Sequence, residues 1–334
     1  MQKPHLKGWD SPNTYHLDIE KEQFEMKSMI TSINHLIEDE KNWVVNGADS
    51  VYKISIKDIN NILDKNSTEG FYSLSSDFES LSHVYSSRGI VSILNDIVIG
   101  WHEIFKSILY EYKYIEFLFF KTFFDIDTFA YSMSVDDRFF IESANLLSAL
   151  IVYEMDDMLQ ILATRIQILY QLPQLVPKEF RNKRNYEPFI FKLYALYGTE
   201  KLDPTVVRYN LGIYSDVFIY WDDPDQLATV LIKLCDYHCT KMYYDGGFRV
   251  PEFYQSPFCL IPFDILAIYK LRDRLGLPTP RINHPLMNSP LVKFYPPKYD
   301  YTDDIIERYQ KRIEEYFPQE IRDIGNNPNQ IIKI

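Results

Sequence analysis

Glycine is scarce, with 11 in 334 residues. Glycine-rich phosphate loops and turn-dense all-β folds both depend on it, so neither is expected. Cysteine is scarcer still. There are three, two of them inside CDYHC (235–239), which is no disulfide framework and points to a reduced, cytoplasmic setting. Basic residues are outnumbered, 35 Lys and Arg against 47 Asp and Glu, for a formal net charge of −12. Such a surface repels phosphates, so no nucleic-acid partner is expected, and the densest basic stretch, KEFRNKR (178–184), reads as a linker. Long uncharged apolar runs are missing too. The greasiest stretch, Ile104 to Phe124, carries Lys106, Glu111, Lys113, Glu116 and Lys121, so no membrane span is expected. The opening MQKPHLKGWDSPNTYH has no apolar core of a secretory signal. The nucleophile-elbow, zinc-protease and phosphate-loop motifs do not occur.

What remains is aromatic and helical. Tyr and Phe number 26 and 22, enough to build much of a core from rings. Apolar residues recur every three or four positions from about Asp18 to Val45 and again over ISIKDINNILD (54–64). Ile90 to Phe124 reads as one buried helix kinked near Gly100. SVDD (134–137) offers Ser134 as a cap, and the stripe Phe140, Ala144, Leu147, Ile151, Met155, Leu159, Leu162, Ile166, Leu169 predicts an amphipathic helix or helix pair. Further helices are expected near 188–197, 205–220, 224–244 and 262–275, the last closed by Gly276, with a tail helix capped by Thr302. FRVPEF (248–253) is the one candidate extended piece. The fold expected is all-α, a multi-helix bundle or stacked helical hairpins in two packed subdomains. The proline-rich, charged stretch 173–187 is the linker between residues 1–172 and 188–334.

Four constellations invite a chemical reading. In CDYHC, Cys235 and His238 fall on the stripe Leu227, Val230, Leu231, Leu234, Met242, so they read as core, not as a metal or redox site. In YWDDPDQ (220–226), Asp222, Asp223 and Asp225 cluster. Asp223, Pro224 and Gln226 fit a helix start with a capping box, as Asp203 and Pro204 do in LDPTV. In YEMDDML (153–159), Glu154 and Asp157 stand one turn apart and could hold Mg²⁺, as in all-α enzymes of diphosphate chemistry. Gln160 occupies the place of a third aspartate after Asp156. Ile219 and Asp223 replace the residues a second motif from Ser215–Asp216 would need. Last, Trp43, Trp101 and Trp221, and His102 beside Glu103, read as core or boundary positions. No catalytic residue, metal ligand or cofactor is assigned, and the chain is not read as an enzyme.

The stretch from 246 to 291 is the most distinctive. A buried helix ends in RDRLGL, and the loop NHPLMNSPL follows, in which Pro278, Pro280, Pro285 and Pro290 restrict the chain and Leu286, Met287 and Leu291 can dock. This order, near the end of an acidic, aromatic chain, resembles the C-terminal part of bacterial polymorphic-toxin immunity proteins, above all immunity protein family 49. The PoNe-type DNase immunity proteins are similar in style. The resemblance covers roughly the last third of the chain. It implies a cytoplasmic antidote that binds a cognate antibacterial toxin, and it carries over no catalytic residues. A nuclease has a basic, phosphate-binding cleft, and negative charge speeds an inhibitor's encounter with such a cleft. The contact candidates by charge density are Glu38, Asp39 and Glu40, and the Asp222, Asp223, Asp225 cluster. A helical scaffold for host proteins and a diphosphate enzyme are the alternative functions.

Overall fold

The computed structural model describes residues 19–65, 73–124, 137–171, 185–197, 211–242, 250–294 and 303–323. Every regular element among them is helical: twelve α-helices and three short 3-10 turns. In chain order the helices are α1 (Ile19–Asn46), α2 (Ala48–Asp64), α3 (Leu74–Leu94), α4 (Gly100–Phe124), α5 (Asp137–Tyr153), α6 (Asp156–Gln171), α7 (Tyr186–Tyr197), α8 (Ser215–Ile219), α9 (Pro224–Lys241), α10 (Phe263–Arg274), α11 (Asp304–Tyr316) and α12 (Gln319–Asp323). The all-α expectation holds. FRVPEF forms no strand over its described residues, 250–253. The linker over 173–184, Ser134, the LDPTV cap and Thr302 lie outside the described residues.

The predicted kinked helix over 90–124 is a hairpin instead. α3 stops at Leu94 and α4 starts at Gly100. Asp96 takes φ +59, the Ile97 N–H reaches the Ser92 carbonyl at 2.9 Å, and the Asp96 N–H reaches Ile93 at 3.0 Å. These are the two reversed bonds that end a helix on a left-handed residue. The stretch contains no proline, which is why periodicity alone ran through it. The same stop separates α5 from α6. Glu154 has φ +55, and the Met155 N–H reaches Leu150 at 3.0 Å. A third closes α10 at Gly276, φ +68, with Leu277 N–H on Arg272 at 2.8 Å, as expected from the sequence.

Small residues let α3 and α4 close tightly. A Cβ added to Gly100 would sit 2.6 Å from the Gly89 carbonyl oxygen, a distance no side chain tolerates. Ser82 Oγ donates to the Ser107 carbonyl at 3.0 Å across the same seam. α1 and α2 pack on α3, and α11 rests on α2 and α4.

α5 is the centre of the molecule. Each residue from Phe139 to Tyr153 is buried, because α4, α6, α7 and α10 surround the helix. The expected amphipathic character therefore belongs to α6 alone, while α5 is enclosed on all sides. The polar groups of α5 find partners in the segment before α10: Asn145 Nδ2 donates to the Glu252 carbonyl at 2.7 Å, and Glu142 accepts from the Tyr254 hydroxyl at 2.7 Å. One connected cluster of buried side chains extends from Ile59 to Phe317.

The C-terminal region follows its local signals closely. Asp223 caps α9 by accepting from the Asp225 and Gln226 N–H groups, with Pro224 in the first turn. The box is not reciprocal, since the Asp223 N–H goes back to the Tyr220 carbonyl at 3.0 Å. NHPLMNSPL repeats one device twice. His284 and Ser289 each accept the N–H two residues on, and a proline follows each. Leu286 and Leu291 are then buried, as expected. The tail-helix cap is Asp303, whose carboxylate takes the Ile305 and Ile306 N–H groups. A side-chain acceptor at that position matches the expected helix start one residue later than Thr302. The helix expected over 205–220 is shorter in its described part: a 3-10 turn, Gly212–Tyr214, leads into the five residues of α8.

Candidate functional site

CDYHC is packed inside, as its place on the apolar stripe of α9 predicts. Cys235, His238, Cys239 and Cys259 are all buried. His238 stacks on Phe253 with ring centres 3.9 Å apart. Its Nδ1 lies 3.1 Å from Asp264 Oδ1 and its Nε2 3.3 Å from the Cys259 carbonyl oxygen. Both ring nitrogens therefore face acceptors inside the core, joining α9 to the start of α10. Burial, with Asp236 and Asp264 nearby, pushes the Cys239 thiol up to about 12. Burial also raises Cys235 and Cys259. A thiol held protonated is a poor ligand and a poor nucleophile. Tyr186, Phe189, Tyr214 and Phe253 fill the space around this junction with rings, Phe189 and Tyr214 stacked at 4.3 Å.

The carboxylates expected to share one helical turn in YEMDDML do not. Glu154 lies beyond the end of α5 and pairs with Lys270 at 2.9 Å. Asp156 and Asp157 open α6, and Asp156 accepts from the Tyr197 hydroxyl at 2.5 Å. The left-handed turn at Glu154 breaks the spacing on which a shared cation depends. Among the described residues, no three His, Cys, Asp or Glu side chains gather as a metal site would need.

The acidic contact candidates separate into three kinds. Glu38 and Asp39 are exposed on α1, beside Lys41 at 3.6 Å and His35 at 2.9 Å. Glu40 is buried, one carboxylate oxygen enclosed without a hydrogen bond, so it offers nothing to a partner's surface. Neighbouring residues of a helix point about 100° apart, and the third of the trio faces inward. Asp222, Asp223 and Asp225 are all exposed at the turn between α8 and α9. Asp223 is occupied as a cap, and the charge of Asp222 acts on Arg272. The two acidic groups are not one patch. Glu40 acts on Cys259, whose carbonyl sits at His238, fifteen residues along α9 from Asp223, about 22 Å of helix.

The α8–α9 turn has a second property that charge counting missed. Ile219 is 68% exposed next to the aspartates, with Trp221 half-buried beside it. An isoleucine at the end of a short helix, followed by an aromatic and an acidic run, was its sequence signal.

Two buried cations were also missed. Arg272, within RDRLGL, is fully buried and donates to the Trp221 carbonyl and, from Nε at 3.2 Å, to the Pro278 carbonyl. Its guanidinium lies 5.3 Å from the Trp221 ring centre. It thus ties the acidic turn to the proline-rich loop. Its signal was its register with Ile265, Ile268 and Leu271 on the stripe of α10. Arg165 of α6 is the other, 3.1 Å from Glu116 of α4, which Lys113 also contacts at 2.9 Å. Burial alone would raise the Glu116 carboxyl, but the two cations and their hydrogen bonds hold it below its ordinary value. A charged residue inside each apolar run was the signal for this cluster.

No helix among the described residues is long and apolar enough to cross a membrane. Comparison with protein-family models, with curated proteins and with solved structures finds no match.

Proposed function

We propose that this protein is an immunity protein that binds a cognate antibacterial toxin and covers its active site. The observation that carries the reading is the α8–α9 turn. It presents an exposed aliphatic anchor, Ile219, within a rim of Asp222, Asp223 and Asp225. An apolar anchor ringed by charge is the arrangement that concentrates binding energy at protein contacts. The acidic rim suits a basic cleft, such as that of a nuclease, and a net charge of −12 speeds the encounter. Residues with reactive side chains support the reading from the other side. Cys235, His238, Cys239, Cys259 and Asp264 are enclosed, and the His238 ring nitrogens lie at hydrogen-bond distance from Asp264 and the Cys259 carbonyl, which fits binding through the exterior.

The test is survival of bacteria that co-express the protein with the toxin encoded beside its gene. Rescue by the wild-type chain and loss of rescue in Ile219→Glu combined with Asp225→Lys is expected, because neither side chain is needed for capping or burial. Failure of the wild-type chain to rescue, with both proteins expressed, overturns the proposal. A retained far-UV circular dichroism spectrum and Tm in the double variant separate lost contact from lost fold.

A further inference from the structure

The turn between α3 and α4 exposes three aliphatic side chains in a row. Ile97, Val98 and Ile99 are 47%, 62% and 63% exposed. The segment is tied down at both ends. Asp96 closes α3 as a left-handed residue, and the carbonyls of Ile97, Val98 and Ile99 accept the Gly100, Trp101 and His102 N–H groups at 2.9, 3.1 and 2.9 Å. The start of α4 thus holds every carbonyl of the tip, and Gly100 is seated against Gly89 at its base. A knob fixed in this way loses little freedom when it is covered. Adjoining aliphatic side chains kept in water mark a contact surface.

A cleft of about 220 Å³ lies beside the knob, walled by Ile93, Trp101 and Pro290 as well as by Ile97 and Val98. Phe294 holds the Trp101 ring edge-on, with ring centres 5.3 Å apart. The volume is below that of metabolite pockets and suits one branched aliphatic side chain. Two opposite charges, Asp96 and Lys293, line the same cleft. Both are exposed, and neither makes an ion pair among the described residues. Knob, cleft, acid and base therefore share one small surface, and each has its complement in the same set. A twofold axis through such a surface satisfies all of them at once, because a residue that contacts a second is contacted by that second residue in return.

We propose that the α3–α4 turn is the contact of a homodimer, in which Ile99 of each copy enters the cleft of the other and Asp96 of each copy meets Lys293 of the other. Other occupants fit less well. A net charge of −12 is repelled by an anionic lipid surface, and the tip carries an aspartate and no exposed aromatic anchor. An unrelated protein would have to supply knob, cleft and both charges in register, which a second copy supplies by symmetry. The contact is small and the two copies repel at long range, so the dimer is a weak one. The turn is separate in the chain from the α8–α9 turn, and the inference does not depend on toxin binding.

Sedimentation velocity of the full chain from about 5 to about 500 µM is the test. The weight-average mass is expected to rise from the 39.7 kDa of one chain toward twice that value. Ile99→Asp raises the dimer Kd about tenfold or more. An acid just before Gly100 suits the start of α4, so this variant keeps its fold. Asp96→Lys and Lys293→Asp each raise the Kd about threefold or more, and the two reversals combined restore it, as a twofold pairing requires. Ile219→Glu with Asp225→Lys leaves the mass curve unchanged. A Tm near that of wild type in each variant separates lost contact from lost fold. The proposal is overturned if the wild-type chain stays monomeric throughout, if Ile99→Asp associates as wild type does, or if the combined reversal is no better than the single ones. Binding of a monomeric wild-type chain to phosphatidylcholine vesicles, lost in Ile99→Asp, overturns it too, by making a membrane the occupant of the tip.

Discussion

Among the described residues two arginines are buried, and they are held in opposite ways. Arg272 has no bonded carboxylate. Backbone carbonyls of Trp221 and Pro278 take its donors, and an indole covers it. Arg165 has a bonded carboxylate, shares it with Lys113, and keeps its Nε enclosed without an acceptor. The first arrangement is closed. It spends a guanidinium on tying two loops together. The second is open, with one donor left without an acceptor. A buried cation bonded only to backbone is a structural tie, whereas one bonded to a shared carboxylate is held by charge.

The comparison is sharpest in the cost of removing each group. Arg272→Met takes away the donors that hold the Trp221 and Pro278 carbonyls, and a loss of about 3 kcal/mol is expected in urea unfolding. Arg272→Lys should recover little of it, since one ammonium cannot reach both carbonyls in the guanidinium's geometry. Near-complete recovery with Lys would show that charge, not the planar fork, holds the loops. Glu116→Gln strands the buried Arg165 and the half-buried Lys113 and is expected to cost about 2 kcal/mol at pH 7. Its pH dependence has a defined sign. The folded carboxyl titrates below its ordinary value of 4.5, so the stability it contributes is fully present above that value. That contribution is lost as the pH falls through the lower folded value. The Glu116→Gln variant should therefore show a shallower loss of stability than wild type below pH 4.5. A matching acid limb in the two proteins would remove the ion cluster from the account.

Arg165→Met is the smallest of the three, about 1 kcal/mol, because Lys113 remains to neutralise Glu116. A loss as large as that of Arg272→Met would erase the distinction between the closed and the open arginine. A double-mutant cycle with Glu116→Gln should show strong coupling to Arg165 and none to Arg272.

Much of the helical layout was legible in the sequence, and the exceptions have a common physical cause. α1, α9 and α10 match their expected spans to within three residues, and α2 starts six residues before the expected stretch, since periodicity and the Asp223 and Gly276 stops are local. The break at Asn95–Asp96 was missed because a left-handed stop on a non-glycine residue leaves no strong mark. On either side of Asn95 and Asp96 the sequence is apolar, and two polar residues alone do not interrupt a helical stripe. Glu154 misled in the same way: of two carboxylates on one expected turn, one stands in the link after α5 and the other opens α6. Of the acidic candidates, charge density found the exposed turn at Asp222–Asp225. It could not tell Glu40 from Glu38 and Asp39, because inward orientation depends on what packs against α1. The Arg165 and Arg272 sites depend on partners 49 and 51 residues away in sequence, beyond the reach of any local pattern.

The enclosure of α5 bears on how the chain is made. The Asn145–Glu252 bond spans 107 residues, and α10, which covers another side of the helix, follows later still. At a synthesis rate of about 10 residues per second, α5 leaves the ribosome about ten seconds before its covering is complete. During that interval a largely apolar helix has part of its surface open to water or a chaperone, so binding by a chaperone to nascent chains ending between residues 190 and 250 is the expected biogenesis of this protein.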